Sequence, residues 1–199
     1  MPTSKPSLLL HVCCAPCSTH VAEVLKGPYE VTGYFYNPNI HPQAEYKTRR
    51  DEIRGYAEKI GLRCLFGAYD VDRWFEAVKG HEEDPEGGDR CRICYRMRLK
   101  ETARFARENS FDYFTTTLSI SPRKKAEMIN RIGEEVAREY GVGFHAADFK
   151  KKDGFKKSVE MSKRFGLYRQ NYCGCIYSRR RGESKNVTGS NPAQEHLAS

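Results

Sequence analysis

Short apolar runs alternating with stretches of helical period constrain this chain more than any other feature of it. The runs are LLLHV (8–12), VTGYFYN (31–37), RCLFGAYD (63–70), DYFTTTLS (112–119) and GFHAAD (143–148). After the first, Ser18 is a candidate N-cap for a helix through Val21, Val24 and Leu25 that stops at Gly27 and Pro28. After the second, His41-Pro42 opens a helix with Pro at its first position, and Tyr46, Ile53, Tyr56, Ala57 and Ile60 mark its apolar face before Gly61. A short helix is expected over Asp72–Lys79, a long one over Arg92–Glu108 and another over Pro122–Tyr140, with the turn-rich HEEDPEGGD as a loop. This alternation predicts an α/β fold, a parallel sheet of about five strands covered on both faces. We expect one domain over residues 1–181, including a mostly helical basic segment at 150–181, and a polar, aperiodic tail at 182–199.

In such sheets ligands sit beyond the carboxyl ends of the strands. Cys13, Cys14 and Cys17 follow the first strand directly, while YNPN (Tyr36–Asn39) and TLSISPRK (Thr117–Lys124) end the second and fourth. These segments should line one opening, which makes Tyr36, Asn37, Asn39, His41, Ser121 and Lys124 candidate substrate contacts. No apolar run approaches the roughly 18 residues of a membrane span, and the start of the chain lacks the apolar core of a signal peptide, so a cytoplasmic location is expected. In a reducing compartment eight cysteines point to metal or redox chemistry rather than to disulfides.

Seven of the eight are clustered, in CCAPC, CRIC (Cys91, Cys94) and CGC (Cys173, Cys175), while Cys64 stands alone in an apolar run and reads as packing. Thiolates select zinc or iron–sulfur clusters. A four-iron cluster takes about four cysteines, or three with one iron open, which leaves thiols over. Neighbouring side chains on an extended stretch point apart, so Cys13 and Cys14 are expected to reach two centres, a cluster beside a second metal. Two zinc sites, or idle thiols, are the alternative.

The charge is local. Lys150–Arg181 holds eleven Lys or Arg against Asp153 and Glu160, a net of +9 in a chain of +8. Phe149, Phe155, Phe165, Tyr168, Tyr172 and Tyr177 are interleaved with it, as a nucleic-acid backbone and unstacked bases would require. A solvated surface helix has the same composition.

Together HVCCAPC, YNPNIHP, CRICYRMRL, TTTLSISPRK and YCGC resemble the QueH-type epoxyqueuosine reductases, from Leu8 to about Ser178. The resemblance implies a Rossmann-like, adenine-nucleotide hydrolase-like sheet. It implies removal of the epoxide oxygen of epoxyqueuosine at the tRNA wobble position with a [4Fe-4S] cluster. The expected partners are a tRNA with a queuosine-type anticodon and an external electron donor. ATP is not expected, because CCAPCS stands where nucleotide-binding relatives carry a Ser-Gly-Gly-x-Asp-Ser loop.

On this reading Cys14, Cys17, Cys91 and Cys94 hold the cluster. Cys13, Cys173 and Cys175 face a second metal ion, expected to be iron, with Asp89 nearby. Cys13, His11 and Tyr95 are the catalytic candidates, the last two as proton donors, although a His beside a strand or a Tyr on a helix serves packing as readily. Arg98, one turn beyond Cys94, could hold phosphate or pair with Glu101, and Lys150, Lys151 and Lys152 would track the tRNA backbone. The competing classes are a zinc-stabilised RNA-binding module and another iron–sulfur tRNA-modifying enzyme. The radical kind is disfavoured because its Cys-x3-Cys-x2-Cys run would need a cysteine where His20 stands.

Overall fold

The apolar runs do form a parallel sheet. A computed structural model describes residues 5–178, and its strands are β1 (Ser7–His11), β2 (Glu30–Phe35), β3 (Cys64–Phe66), β4 (Tyr113–Thr116) and β5 (Gly143–Phe144). They lie in the order β3-β2-β1-β4-β5, with His11 opposite Tyr34 on one side and Thr116 on the other. The helices are α1 (Ala15–Leu25), α2 (Gln43–Lys59), α3 (Val71–Val78), α4 (Asp89–Glu108), α5 (Ala126–Tyr140) and α6 (Gly154–Arg164).

Strand alternation explains how both faces are covered. Leu8 and Leu10 point to one face and pack with Val21, Leu25, Ile53 and Tyr56 of α1 and α2, whereas Leu9 points to the other and packs with Leu99, Ala103, Ile129 and Val136 of α4 and α5. All three leucines are fully buried, each contributing about 1.5–3 kcal/mol relative to exposure. Helix α6 lies against α1, where Ser158 Oγ donates to the Pro16 carbonyl at 2.7 Å. Among the described residues no helix is long and apolar enough to cross a membrane.

Several boundaries differ from expectation, and each difference moves a functional residue. Helix α1 begins at Ala15, so Cys14 is its N-cap; Ser18 lies inside the helix and returns its hydroxyl to the Ala15 carbonyl at 2.8 Å. Pro16, which has no N–H to satisfy, is what allows the earlier start. Helix α2 begins one residue after Pro42, which caps it behind a cis His41–Pro42 bond. Helix α4 begins at Asp89 rather than Arg92, which brings Cys91 and Cys94 onto one helix. Its cap comes from outside the helix: Asp84 Oδ2 accepts from Arg90 N at 2.8 Å, and Arg90 Nη1 donates to the carbonyls of His81, Glu82 and Asp84.

After β4 the chain turns through a short 3-10 helix, Thr117–Ile120, and α5 starts only at Ala126, so Ser121 and Lys124 stand on a loop. The basic segment is less helical than expected, with α6 followed by an irregular strap that ends in a 3-10 turn, Ile176–Ser178. Arg179–Arg181 and the tail expected at 182–199 lie outside the described residues.

Candidate metal centre and substrate cavity

The sheet order reverses beside β1: the chain runs outward from β1 through β2 to β3, then crosses back to lay β4 on the other side of β1. At that switch point β1 gives way to Cys13, whose N–H donates to Thr117 Oγ1 at 3.1 Å and whose Sγ accepts from the same hydroxyl at 3.2 Å. The chain turns into α1 at Cys14, and Cys17 stands in the first turn. The three Sγ atoms all lie within 4.8 Å of one another, with Cys13 and Cys14 3.9 Å apart. The expectation that neighbouring cysteines would point to separate centres therefore fails. The backbone at Cys14 is extended, as assumed, with φ −171° and ψ 163°, and α1 starts one residue later, yet the two sulfurs converge.

Hydrogen bonds from Cys14 and Cys17 hold the Cys13 thiol well below its ordinary pKa, with help from the Arg98 guanidinium. The same contacts push Cys14 up to about 12 and raise Cys17 as well. The three thiols stand at a helix N-terminus that has no side-chain cap, where negative charge is favoured. Soft sulfur donors clustered in this way, one of them shifted towards the thiolate, fit a thiolate-bound metal centre.

Above the triangle opens a cavity of about 380 Å³. Arg49, Arg98, Arg123, Lys124 and Arg169 line it against one carboxylate, Glu86. A smaller adjoining cavity, about 20 Å³, is lined by Cys91, Cys94, Cys173 and Cys175. Cys173, Arg98, Lys124 and Glu86 belong to both walls. A hydrogen bond from Cys175 and the charge of Lys124 hold the Cys173 thiol low, while burial and neighbouring thiols raise Cys175, Cys91 and Cys94. Gly87 N donates to Cys91 Sγ at 3.2 Å. Burial opposes the charge of Lys124, but electrostatic attraction to Cys173, Cys13 and Cys17 prevails and raises its pKa.

The structure distributes the expected site residues unevenly. Ser121 and Lys124 line the main cavity, and Asn39 and Tyr95 line the smaller one. Burial raises the pKa of Tyr95. His11 lines neither cavity: it is fully buried, with Nδ1 on Thr116 Oγ1 at 2.8 Å, and burial lowers its pKa to about 3. The ring is thus enclosed away from both cavities and does not reach the place where a proton donor was expected. Tyr36 and Asn37 are also interior ties, Tyr36 to Asp70 and Asn37 to the Val12 carbonyl and Arg98 Nη2. His41 Nδ1 contacts the Asn39 carbonyl at 2.9 Å, and its N–H donates to the Gly174 carbonyl.

Arg98 does not pair with Glu101; it is buried between Asn37 and His11 and reaches both cavities. Asp89, expected beside the second metal, is exposed, pairs with Arg92 at 3.1 Å and lines neither cavity, whereas Glu86 lines both. Lys150, Lys151 and Lys152 line neither cavity, Lys150 pairing with Asp148 at 2.8 Å. Cys64 packs in the core beside Gly33, as expected.

Sequence reasoning missed Arg49, Glu86, Arg169 and Gln170, and placed Thr117 and Arg123 at the opening only as part of their segment. Arg49 carried a signal, a charge inside the apolar stripe of α2. It is buried, pairs with Glu45 at 2.7 Å, and donates to the carbonyls of Cys173 and Tyr172, which docks the strap. Gly174 lets the strap approach: its φ is +104°, and a Cβ there would meet Ile40 Cγ1 at 2.7 Å. Gln170 lies against Cys14, and its Oε1 is buried without a partner among the described residues.

A family model described as "Epoxyqueuosine reductase QueH" matches residues 8–181. The chain is 44% identical over 180 residues to the epoxyqueuosine reductase QueH of Streptococcus pyogenes serotype M1, covering 87% of this chain and 71% of that protein. It is 39% identical over 176 residues to the protein of the same description from Thermotoga maritima, covering 86% and 90%. Among solved structures it resembles the U34-tRNA thiolase NcsA from Methanococcus maripaludis with its [4Fe-4S] cluster. That match has a TM-score of 0.55 and 14% identity over 88% of this chain and 62% of the other, a likeness of fold.

Proposed function

The chain belongs to the epoxyqueuosine reductase QueH family, and from that premise we propose that the reaction takes place in the cavity over Cys13, Cys14 and Cys17, on epoxyqueuosine carried by a tRNA with a queuosine-type anticodon. The family activity is an oxidoreduction. Two electrons and two protons convert the epoxide to an alkene; both carbon–oxygen bonds break and the oxygen leaves as water. The observation that carries the site assignment is the sulfur triangle at the switch point, opening into a cavity walled by five cations.

We assign Cys13, Cys14 and Cys17 to an iron–sulfur cluster, for which three thiolates suffice when one iron stays open. Cys91, Cys94, Cys173 and Cys175 face a second ion across the shared wall. Bound there, the cluster would supply electrons from an external donor and the ion a Lewis acid. The chain's own residues do the rest. Lys124, whose positive charge the surrounding cysteines favour, lines both cavities and meets negative charge on the departing oxygen. Arg98, anchored through Asn37, adds a fixed positive charge that cannot be lost as a proton. Ser121 and the rim arginines position the substrate.

Anaerobic purification with iron and sulfide analysis, followed by mass spectrometry of a tRNA anticodon stem-loop carrying epoxyqueuosine, tests this reading. It expects acid-labile sulfide and the loss of one oxygen from the RNA on reduction. Stoichiometric zinc without sulfide would overturn it.

A further inference from the structure

The six aromatic residues of the basic segment differ in what their rings touch. Phe149 is buried in the core, and Phe165 packs edge-on against Tyr56. Tyr168 reaches Glu45 through its hydroxyl, Tyr172 reaches the His41 carbonyl and carries Arg49 over its ring, and Tyr177 stacks on Trp74. Phe155 is different. Among the described residues no aromatic ring packs on it, and it stands half-buried in the first turn of α6, on the wall of the cavity that reaches Cys13 and Cys17.

The Arg169 guanidinium lies 5.9 Å from the Phe155 ring centroid and is held there by Nη1 donating to Ser162 Oγ at 2.9 Å. Arg169 and Arg123 line the same cavity and are exposed, which marks this wall as the rim rather than the floor.

We propose that Phe155 and Arg169 form a shelf on which an unpaired nucleobase next to the modified nucleotide stacks, with its phosphate at Arg123. The proposal rests on the epoxyqueuosine reductase reading and adds where the flanking RNA is held. Single-stranded RNA is recognised by splaying bases onto aromatic and guanidinium planes, and every base has a face to offer. The modified base has to reach the sulfur triangle at the floor, so the nucleotide that meets the rim is its neighbour.

The test is a cycle between protein and RNA. Affinity for the anticodon stem-loop carrying epoxyqueuosine is measured by fluorescence anisotropy on the reduced holoenzyme. The loop is used intact and with the base removed from the nucleotide on either side of the modified one. Phe155→Ala should weaken binding of the intact loop by about 5- to 150-fold, the range for one stacked base. On one of the two abasic loops the same substitution should cost almost nothing, and Phe155→Trp should restore affinity for the intact loop. Arg123→Gln should weaken binding less and flatten the salt dependence by about 0.7 in log–log slope. Unchanged iron content and melting temperature report that the variants fold. An equal loss on all three loops, or no loss on the intact one, overturns the shelf. Failure of the wild-type protein to bind or convert the intact loop would instead overturn the functional reading on which the shelf rests.

Discussion

The two groups of thiols are built in opposite ways. Cys13, Cys14 and Cys17 come from five consecutive residues, and their triangle is complete as soon as β1 hands over to α1. Cys91 and Cys94 stand on α4, Cys173 and Cys175 on a strap some eighty residues later, and they meet only because Arg49, the His41 backbone and Gly174 hold that strap down. A local site survives disturbance elsewhere in the fold. An assembled site depends on every tie that brings its halves together.

The largest expected effect separates the groups by their chemistry. Replacing Cys14 with Ser should remove both the brown chromophore and the conversion of epoxyqueuosine. Replacing Cys173 should abolish conversion while most of the sulfide stays, as read by absorbance, sulfide analysis and mass spectrometry of the RNA. If Cys173→Ser strips the sulfide as fully as Cys14→Ser does, the two groups serve one centre and the contrast disappears.

Next comes the tie itself. Arg49→Met leaves Glu45 and two strap carbonyls without their cation, and should cost about 3 kcal/mol of stability in urea unfolding. Its sharper signature is selective: turnover falls while the chromophore of the triangle persists. Equal loss of both would mean that the strap also supports the local site.

A pH effect tests the floor beneath the triangle. His11 is neutral in the fold, its pKa lowered to about 3 by burial, but takes up a proton below about 6.5 once unfolded. Its contribution is therefore fully present above pH 6.5 and is lost as pH falls towards 3. From pH 8 to pH 5 the loss should be about 2 kcal/mol. Urea midpoints of the wild type and of His11→Asn at the two pH values measure it, and the variant should show the flatter dependence. A wild type as stable at pH 5 as at pH 8 would show that His11 is not held neutral.

The smallest effect is a control. Burial pushes the Cys64 thiol up to about 12, and it touches neither cavity. Cys64→Ser should leave iron, sulfide and turnover unchanged and cost about 1 kcal/mol or less. Loss of sulfide in this variant would mean that an eighth thiol takes part.

How much was legible depended on how far apart in sequence the partners lie. The five strands, their parallel pairing and the placing of Cys13 at the carboxyl end of β1 could all be read from runs a few residues long, since an apolar run and a helical period are local properties. Element ends were less legible. The start of α4 was misplaced by three residues because its cap is the Asp84–Arg90 clamp rather than a residue of the ordinary N-cap position.

From its sequence this protein had its chemistry determined: seven clustered thiols, and a fold that sets the first three of them at the carboxyl end of β1. Only the tertiary structure decided which thiols are neighbours, that His11 is enclosed and neutral, that Lys124 and Arg98 stand between the two groups, and that Phe155 faces the cavity. Residue type and short-range spacing set what a side chain can do. Burial, charge and company depend on contacts between segments that the chain brings together only by folding.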